Sequence, residues 1–160
     1  MYNSEKDMYP EVILWLDNYL KDLYGKLAKK ITVSDTHDSD LCNFVIKLSY
    51  QKFFPEYTTF QIRQDITGFI EYQNKVDLVF IECKNTLLNL SHLSQLIGYS
   101  CIALPILSIL ISPQGMGDTL NKLLRTYNRK DVLNFHPSLK FSICKWDTIK
   151  KDIDYSNSIF

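Results

Sequence analysis

The sequence predicts an α/β fold in which a mixed central β-sheet is flanked by helices. Three observations carry that prediction. Segments 10–28, 41–49, 90–102 and 116–127 place apolar residues at helical spacing, and short apolar runs at 31–33, 76–81, 107–111 and 141–146 alternate with them. Residues Thr58–Tyr72 alternate apolar and polar side chains, and Gln73-Asn74 forms a turn before Lys75, which is a hairpin signal. At 160 residues, 46% hydrophobic and 22% charged, the chain is long enough to bury one core and reads as one domain.

Taken in order, residues 1–8 are polar and expected to fray. Pro10 opens an amphipathic helix whose Val12, Ile13, Leu16, Leu20, Leu23 and Leu27 carry it to about Ala28. Glu11 sits in its first turn, where an acid favours the helix dipole. Ile31 to Val33 is a short strand. The polar run Ser34–Ser39 is a turn ending in a helix cap. His37 stands there between Asp35 and Asp38 with no second histidine at ligand spacing, which favours turn chemistry over a metal cluster. Leu41, Phe44, Val45 and Leu48 mark a helix to about Ser49, and Tyr50–Tyr57 is an aromatic connection to the hairpin. Leu93, Leu96, Ile97 and Cys101 define a helix from Leu90 to Ile102, capped by Asn89 or Ser91. Leu107–Ile111 is a buried strand, Ser112-Pro113-Gln114-Gly115 a turn, Met116–Tyr127 a helix and Phe141–Trp146 a last strand. Val132–Phe135 is a candidate short partner for that strand. The final ~14 residues are polar and expected to be loosely held.

One strand carries an anomaly. Val76, Leu78, Val79, Phe80 and Ile81 read as buried, yet the run ends Glu82-Cys83-Lys84. Residues two apart share a face of a strand, so the acid and the lysine project the same way. Ionisable groups in such a place are costly unless paired or bound to a metal. A loop closed between Tyr72 and Lys75 puts Asp65 directly opposite Glu82, with Cβ atoms roughly 4.5–5.5 Å apart. Two adjacent carboxylates repel unless a cation lies between them. Hard oxygen donors with room for water suit Mg²⁺ or Mn²⁺, and a lysine alongside can stabilise an anionic transition state. Asp77 falls on the opposite face of the strand and is read as a solvated strand-entry residue. On the helix that follows, Gln95 and Tyr99 are four apart and share a face, with His92 one turn earlier.

Asp65, then Glu82-x-Lys84 on the next strand, then a helix with Gln95-x-x-x-Tyr99, resembles the PD-(D/E)XK (restriction-endonuclease-like) nuclease superfamily, and the last element its RecB-like branch. The resemblance covers about residues 58 to 112. One departure is Gln64, which stands where many members carry proline before the aspartate. The resemblance implies an αβββαβ core and metal-dependent hydrolysis of DNA. It makes Asp65, Glu82 and the Cys83 backbone carbonyl the metal ligands and Lys84 the catalytic lysine. Gln95 and Tyr99 would orient substrate or metal-bound water, and Glu11 would be an outer-shell acid on the first helix. The ion is expected to be Mg²⁺ or Mn²⁺. The downstream cysteine group of the cluster-bearing relatives is missing, so no iron–sulfur cluster is expected.

Eighteen basic and eighteen acidic residues give a formal net charge of zero, which disfavours strong non-specific nucleic-acid binding and leaves local patches. Lys122, Arg125 and Arg129, at i, i+3, i+7 spacing, are candidate phosphate contacts, with a helix-dipole role the plain alternative. Cys42, Cys83, Cys101 and Cys144 form no C-x-x-C pair, so no zinc is expected and free thiols in a reducing cytosol are. No apolar run approaches the ~18 residues of a membrane span and no signal peptide opens the chain, so a cytoplasmic protein without membrane contact is expected. DNA is the expected partner, with a homodimer or a larger complex as candidate assemblies. Two alternatives stand: a non-catalytic nucleic-acid-binding or assembly protein that keeps the fold, and a Holliday-junction resolvase.

Overall fold

Pro10 lies in the first turn of α1 (Tyr9–Tyr24), where its missing N–H costs no hydrogen bond. This is the first element of a computed structural model that describes residues 2–134, 136, 137 and 139–160. Val12, Leu16 and Leu20, spaced four apart, form its fully buried stripe. It is followed by β1 (Lys30–Asp35), α2 (Leu41–Lys47), β2 (Ile66–Glu71), β3 (Val76–Cys83), α3 (Leu90–Ala103) and β4 (Leu107–Ser112). The short α4 (Asp118–Asn121) continues as a π-helical turn over Lys122–Thr126, and β5 (Lys140–Asp147) and β6 (Asp152–Ile153) complete the chain. The strands form one six-stranded mixed sheet in the order β1-β2-β3-β4-β5-β6. The first three pair antiparallel, β4 and β5 add in parallel, and β6 returns antiparallel.

The hairpin forms in the predicted register. Ile66 pairs with Ile81 and Glu71 with Val76 across the loop 72–75, which the Tyr72 N–H closes on the Lys75 carbonyl at 2.8 Å. Asp77 pairs with Lys75 at 2.7 Å, away from Glu82.

Alternation along the strands splits the core into two layers. Ile66, Ile70, Val79, Ile81, Cys83, Ile109, Ile111 and Trp146 pack on the α1 side. Phe69, Leu78, Phe80, Leu110, Phe141 and Ile143 pack on the side of α2, α3 and α4. Gly68 faces α1, where a Cβ would stand 3.0 Å from Leu20 Cδ1 and 3.3 Å from Val79 Cβ. A missing side chain there lets the helix approach the sheet.

The first half of the expected hairpin arm does not pair. The carbonyls of Phe60 and Ile62 instead accept from the N–H groups of Cys42 (3.2 Å) and Leu41 (2.8 Å), satisfying the first turn of α2. Residues near both ends, expected to be loose, make specific contacts. The Ser4 N–H donates to Asp7 Oδ2 at 3.0 Å, and Glu5–Met8 form a 3₁₀ turn that runs into α1 with Met8 fully buried. At the other end β6 pairs with β5, and Ile159 exchanges two 2.8 Å hydrogen bonds with Ile143. Residues Lys130–Leu133 form a 3₁₀ turn where a short strand was expected, and Phe135, the end of that expected strand, lies outside the described residues.

Candidate functional site

The site lies where the chain enters β2 and leaves β3. Were the ladder to continue, the Cys83 amide would meet the Gln64 carbonyl; that carbonyl takes the Thr36 hydroxyl instead, at 2.6 Å. The Asp65 carboxylate fills the vacated position, Oδ2 accepting the Cys83 N–H at 2.8 Å, while Oδ1 accepts the Tyr9 hydroxyl at 2.5 Å. Burial raises the Asp65 pKa, and these two hydrogen bonds work against it without reversing the net rise.

Glu82, on the α3 side of β3, is 2% exposed. Its Oε1 accepts from Lys84 Nζ and from Gln95 Nε2, both at 2.8 Å, and its Oε2 accepts from Gln64 Nε2 at 2.6 Å. Burial, and after it the negative charge of Asp65, pushes the Glu82 carboxyl up to about 7 in spite of Lys84. Lys84 follows β3 directly and its amide donates to the Ile111 carbonyl at 2.8 Å, which fixes its backbone against β4. Burial pulls its ammonium pKa down, but the Glu82 charge and hydrogen bond outweigh that, and the net shift is upward.

The arrangement therefore brings together Asp65, Glu82, Lys84 and Gln95 with the Cys83 backbone between the two acids. Tyr99, one turn beyond Gln95, is half-buried against the core and hydrogen-bonds to neither acid. Glu11 faces elsewhere: it accepts from the Tyr2 hydroxyl and pairs with Lys151 at 3.0 Å. The N-terminal acid at the site is instead Glu5, whose Oε2 is 3.6 Å from Lys84 Nζ. Lys122, Arg125 and Arg129 do not line up on one helix face, because the π turn ends at Thr126 and Arg129 lies beyond it. Lys122 lines a shallow cleft with Leu90 and Tyr127, Arg125 reaches the Ser158 carbonyl (3.4 Å), and Arg129 grips Asp131 through two nitrogens at 2.8 and 2.9 Å.

Reasoning from sequence missed Glu5, Tyr9 and Gln64. The pair Ser4-x-x-Asp7 was a helix-start signal that could have placed Glu5 and Tyr9 on an ordered entry to α1.

The donor set fits a small hard cation. Glu82 Oε1 is saturated by two donors, whereas Oε2 and both Asp65 oxygens each retain acceptor capacity. The buried Gln64 Oε1 beside them has no hydrogen-bond partner. Among the described residues no group of three or more His, Cys, Asp or Glu side chains that could hold a metal ion is found; the carboxylates at the site are those of Asp65 and Glu82. Surface clefts of about 580 Å³ along α1, 450 Å³ between Arg125 and Tyr155 and 380 Å³ beside β5 lie elsewhere and include neither Asp65 nor Glu82. The buried acids remain the candidate site, because an ionisable pair this deep needs a reason.

No helix is long and apolar enough to cross a membrane among the described residues. Comparison with protein-family models, with curated proteins and with solved structures finds no match.

Proposed function

We propose that this protein is a Mg²⁺- or Mn²⁺-dependent nuclease that hydrolyses DNA phosphodiester bonds. The observation that carries the reading is the convergence of Asp65, Glu82 and Lys84 at one end of a hairpin, with Gln95 reaching down from α3 onto the same carboxylate. The order α1, β1, β2, β3, α3, β4, with α2 inserted, agrees with the αβββαβ core that the resemblance to PD-(D/E)XK nucleases implies.

In this reading Asp65 and Glu82 would hold the ion together with the Cys83 carbonyl. When bound, the ion lowers the pKa of a water and offsets charge at the scissile phosphate. Gln95 and Lys84 fix the Glu82 rotamer through Oε1, which leaves Oε2, held by Gln64 Nε2 alone, with acceptor capacity for the ion. Lys84 keeps N–H capacity beyond its Glu82 bond, and it presents that capacity to the attacking water or to a phosphate oxygen. Tyr9 and the Cys83 amide restrain Asp65 in the same way. In this reading Tyr99, one turn beyond Gln95, would orient substrate or metal-bound water. DNA is the proposed partner, and a homodimer or larger complex belongs to the same proposal.

The test is Mn²⁺-dependent cleavage of single- and double-stranded DNA by wild type, Glu82→Ala and Lys84→Ala. Cleavage by wild type alone supports the reading, and equal activity in all three proteins discards it. DNA binding by wild type without cleavage under any divalent ion identifies a non-catalytic binding module.

A further inference from the structure

Gln64 occupies a position that the nuclease reading leaves without a task. It is 1% exposed, and its carbonyl and side chain are each drawn into a specific contact. The backbone carbonyl takes the Thr36 hydroxyl at 2.6 Å, and that hydroxyl also lies 2.9 Å from Thr67 Oγ1. The side-chain Nε2 lies 2.6 Å from Glu82 Oε2. With Glu82 ionised, as a bound cation would hold it, the amide orientation is set, because the opposite one would put a carbonyl oxygen against a carboxylate oxygen. Oε1 is then placed as well, across the amide from the nitrogen that holds Glu82 Oε2, and it is buried without a donor. A buried acceptor without a donor is uncommon and calls for a missing one.

We propose that Gln64 is a positioning residue of the cation site: Nε2 holds Glu82 Oε2 in place, and Oε1 accepts a hydrogen bond from water bound to the divalent ion. The inference rests on the nuclease reading for the ion itself, and adds a neutral oxygen from the residue before Asp65. A hydrated hard cation supplies what the site lacks, since its waters are donors directed outward from the ion. Partners that orient metal ligands in this way typically change affinity by roughly 10- to 100-fold when removed.

The experiment is calorimetric Mn²⁺ titration of wild type, Gln64→Leu and Gln64→Glu, with far-UV circular dichroism and thermal melts of each. Wild type is expected to bind Mn²⁺ and Gln64→Leu to bind it about 10- to 100-fold more weakly with an unchanged spectrum. Gln64→Glu places a third carboxylate against Glu82, so it is expected to melt lower than wild type without metal and to gain more from Mn²⁺ than wild type gains. Equal Mn²⁺ affinity in wild type and Gln64→Leu overturns this inference alone. Should Gln64→Leu not fold, Gln64→Glu decides, and a Mn²⁺-induced rise in its melting temperature no larger than that of wild type overturns it. A wild type that binds no Mn²⁺ overturns both this inference and the nuclease reading.

Discussion

Replacing Glu82 by glutamine should change stability in a way that reverses with pH. The metal-free fold holds this carboxyl at about 7 against an ordinary value of 4.5, through burial first and the Asp65 charge second. At about 1.4 kcal/mol per tenfold change in proton affinity, that difference corresponds to roughly 3 kcal/mol. The sign follows from the raised pKa. Protonated Glu82 stabilises the fold fully below about 4.5, and that contribution is lost as pH rises through about 7. Glutamine does not titrate, so it carries no such loss. It does turn one acceptor into an amide among three donors and leaves Glu5, 3.6 Å away, as the charged partner of Lys84, at a cost of about 1–3 kcal/mol. The variant should therefore be the less stable protein at pH 5 and gain about 2.5 kcal/mol relative to wild type by pH 8. Urea unfolding in EDTA at several pH values between 5 and 8 measures this. A stability difference that stays constant to within about 0.5 kcal/mol across the range would overturn the expectation, because it would mean the buried carboxyl is not destabilised by ionisation.

Other consequences concern the scaffold. Gly98 lies mid-helix in α3 with open space where a Cβ would stand, so Gly98→Ala should raise stability by about 0.5–1 kcal/mol, read as a shift in denaturation midpoint. Gly68→Val should destabilise by about 1–3 kcal/mol, because its Cβ would meet Leu20 at 3.0 Å and push α1 off the sheet; a melt equal to wild type would contradict that packing. Deleting residues 152–160 should cost several kcal/mol. It removes the Ile153 burial, the two Ile143–Ile159 hydrogen bonds and the Asp152 acceptor of Trp15 Nε1 at 2.8 Å. A truncated chain that melts like the whole one would show the C-terminus to be loosely held after all.

What could be seen in the sequence was whatever depends on local pattern. The hairpin register followed from the turn at Gln73-Asn74 and the alternation on either side; its ladder ends at Ile66–Ile81, one residue short of Asp65 and Glu82. The cap at Asn89 was equally legible, its Oδ1 accepting the His92 N–H at 3.1 Å. What failed was set by tertiary partners. Phe60 and Ile62 have strand-like side chains, but their carbonyls serve the α2 N-terminus. Glu11 and Glu5 both precede or open a helix, and only the path of the first residues, with Tyr2 bound to Trp146 Nε1 (2.9 Å) and to Asn85, decides which acid faces Lys84. The basic trio was misjudged because an ideal 3.6-residue period was extended through a π turn. Gln64 was noted only as a missing proline, and its role on Glu82 arises from a bend at Asp65 that no periodicity encodes.

The proposed chemistry stands or falls on whether Asp65 and Glu82 together hold one divalent cation. Crystals grown or soaked with Mn²⁺ and measured for anomalous scattering put that to the sharpest test. A single strong peak is expected within bonding distance of both carboxylates, on the Oε2 side of Glu82 and beside Gln64 Oε1. A map with no peak there, or with one bound elsewhere and the Glu82–Lys84 pair undisturbed, would rule the cation site out.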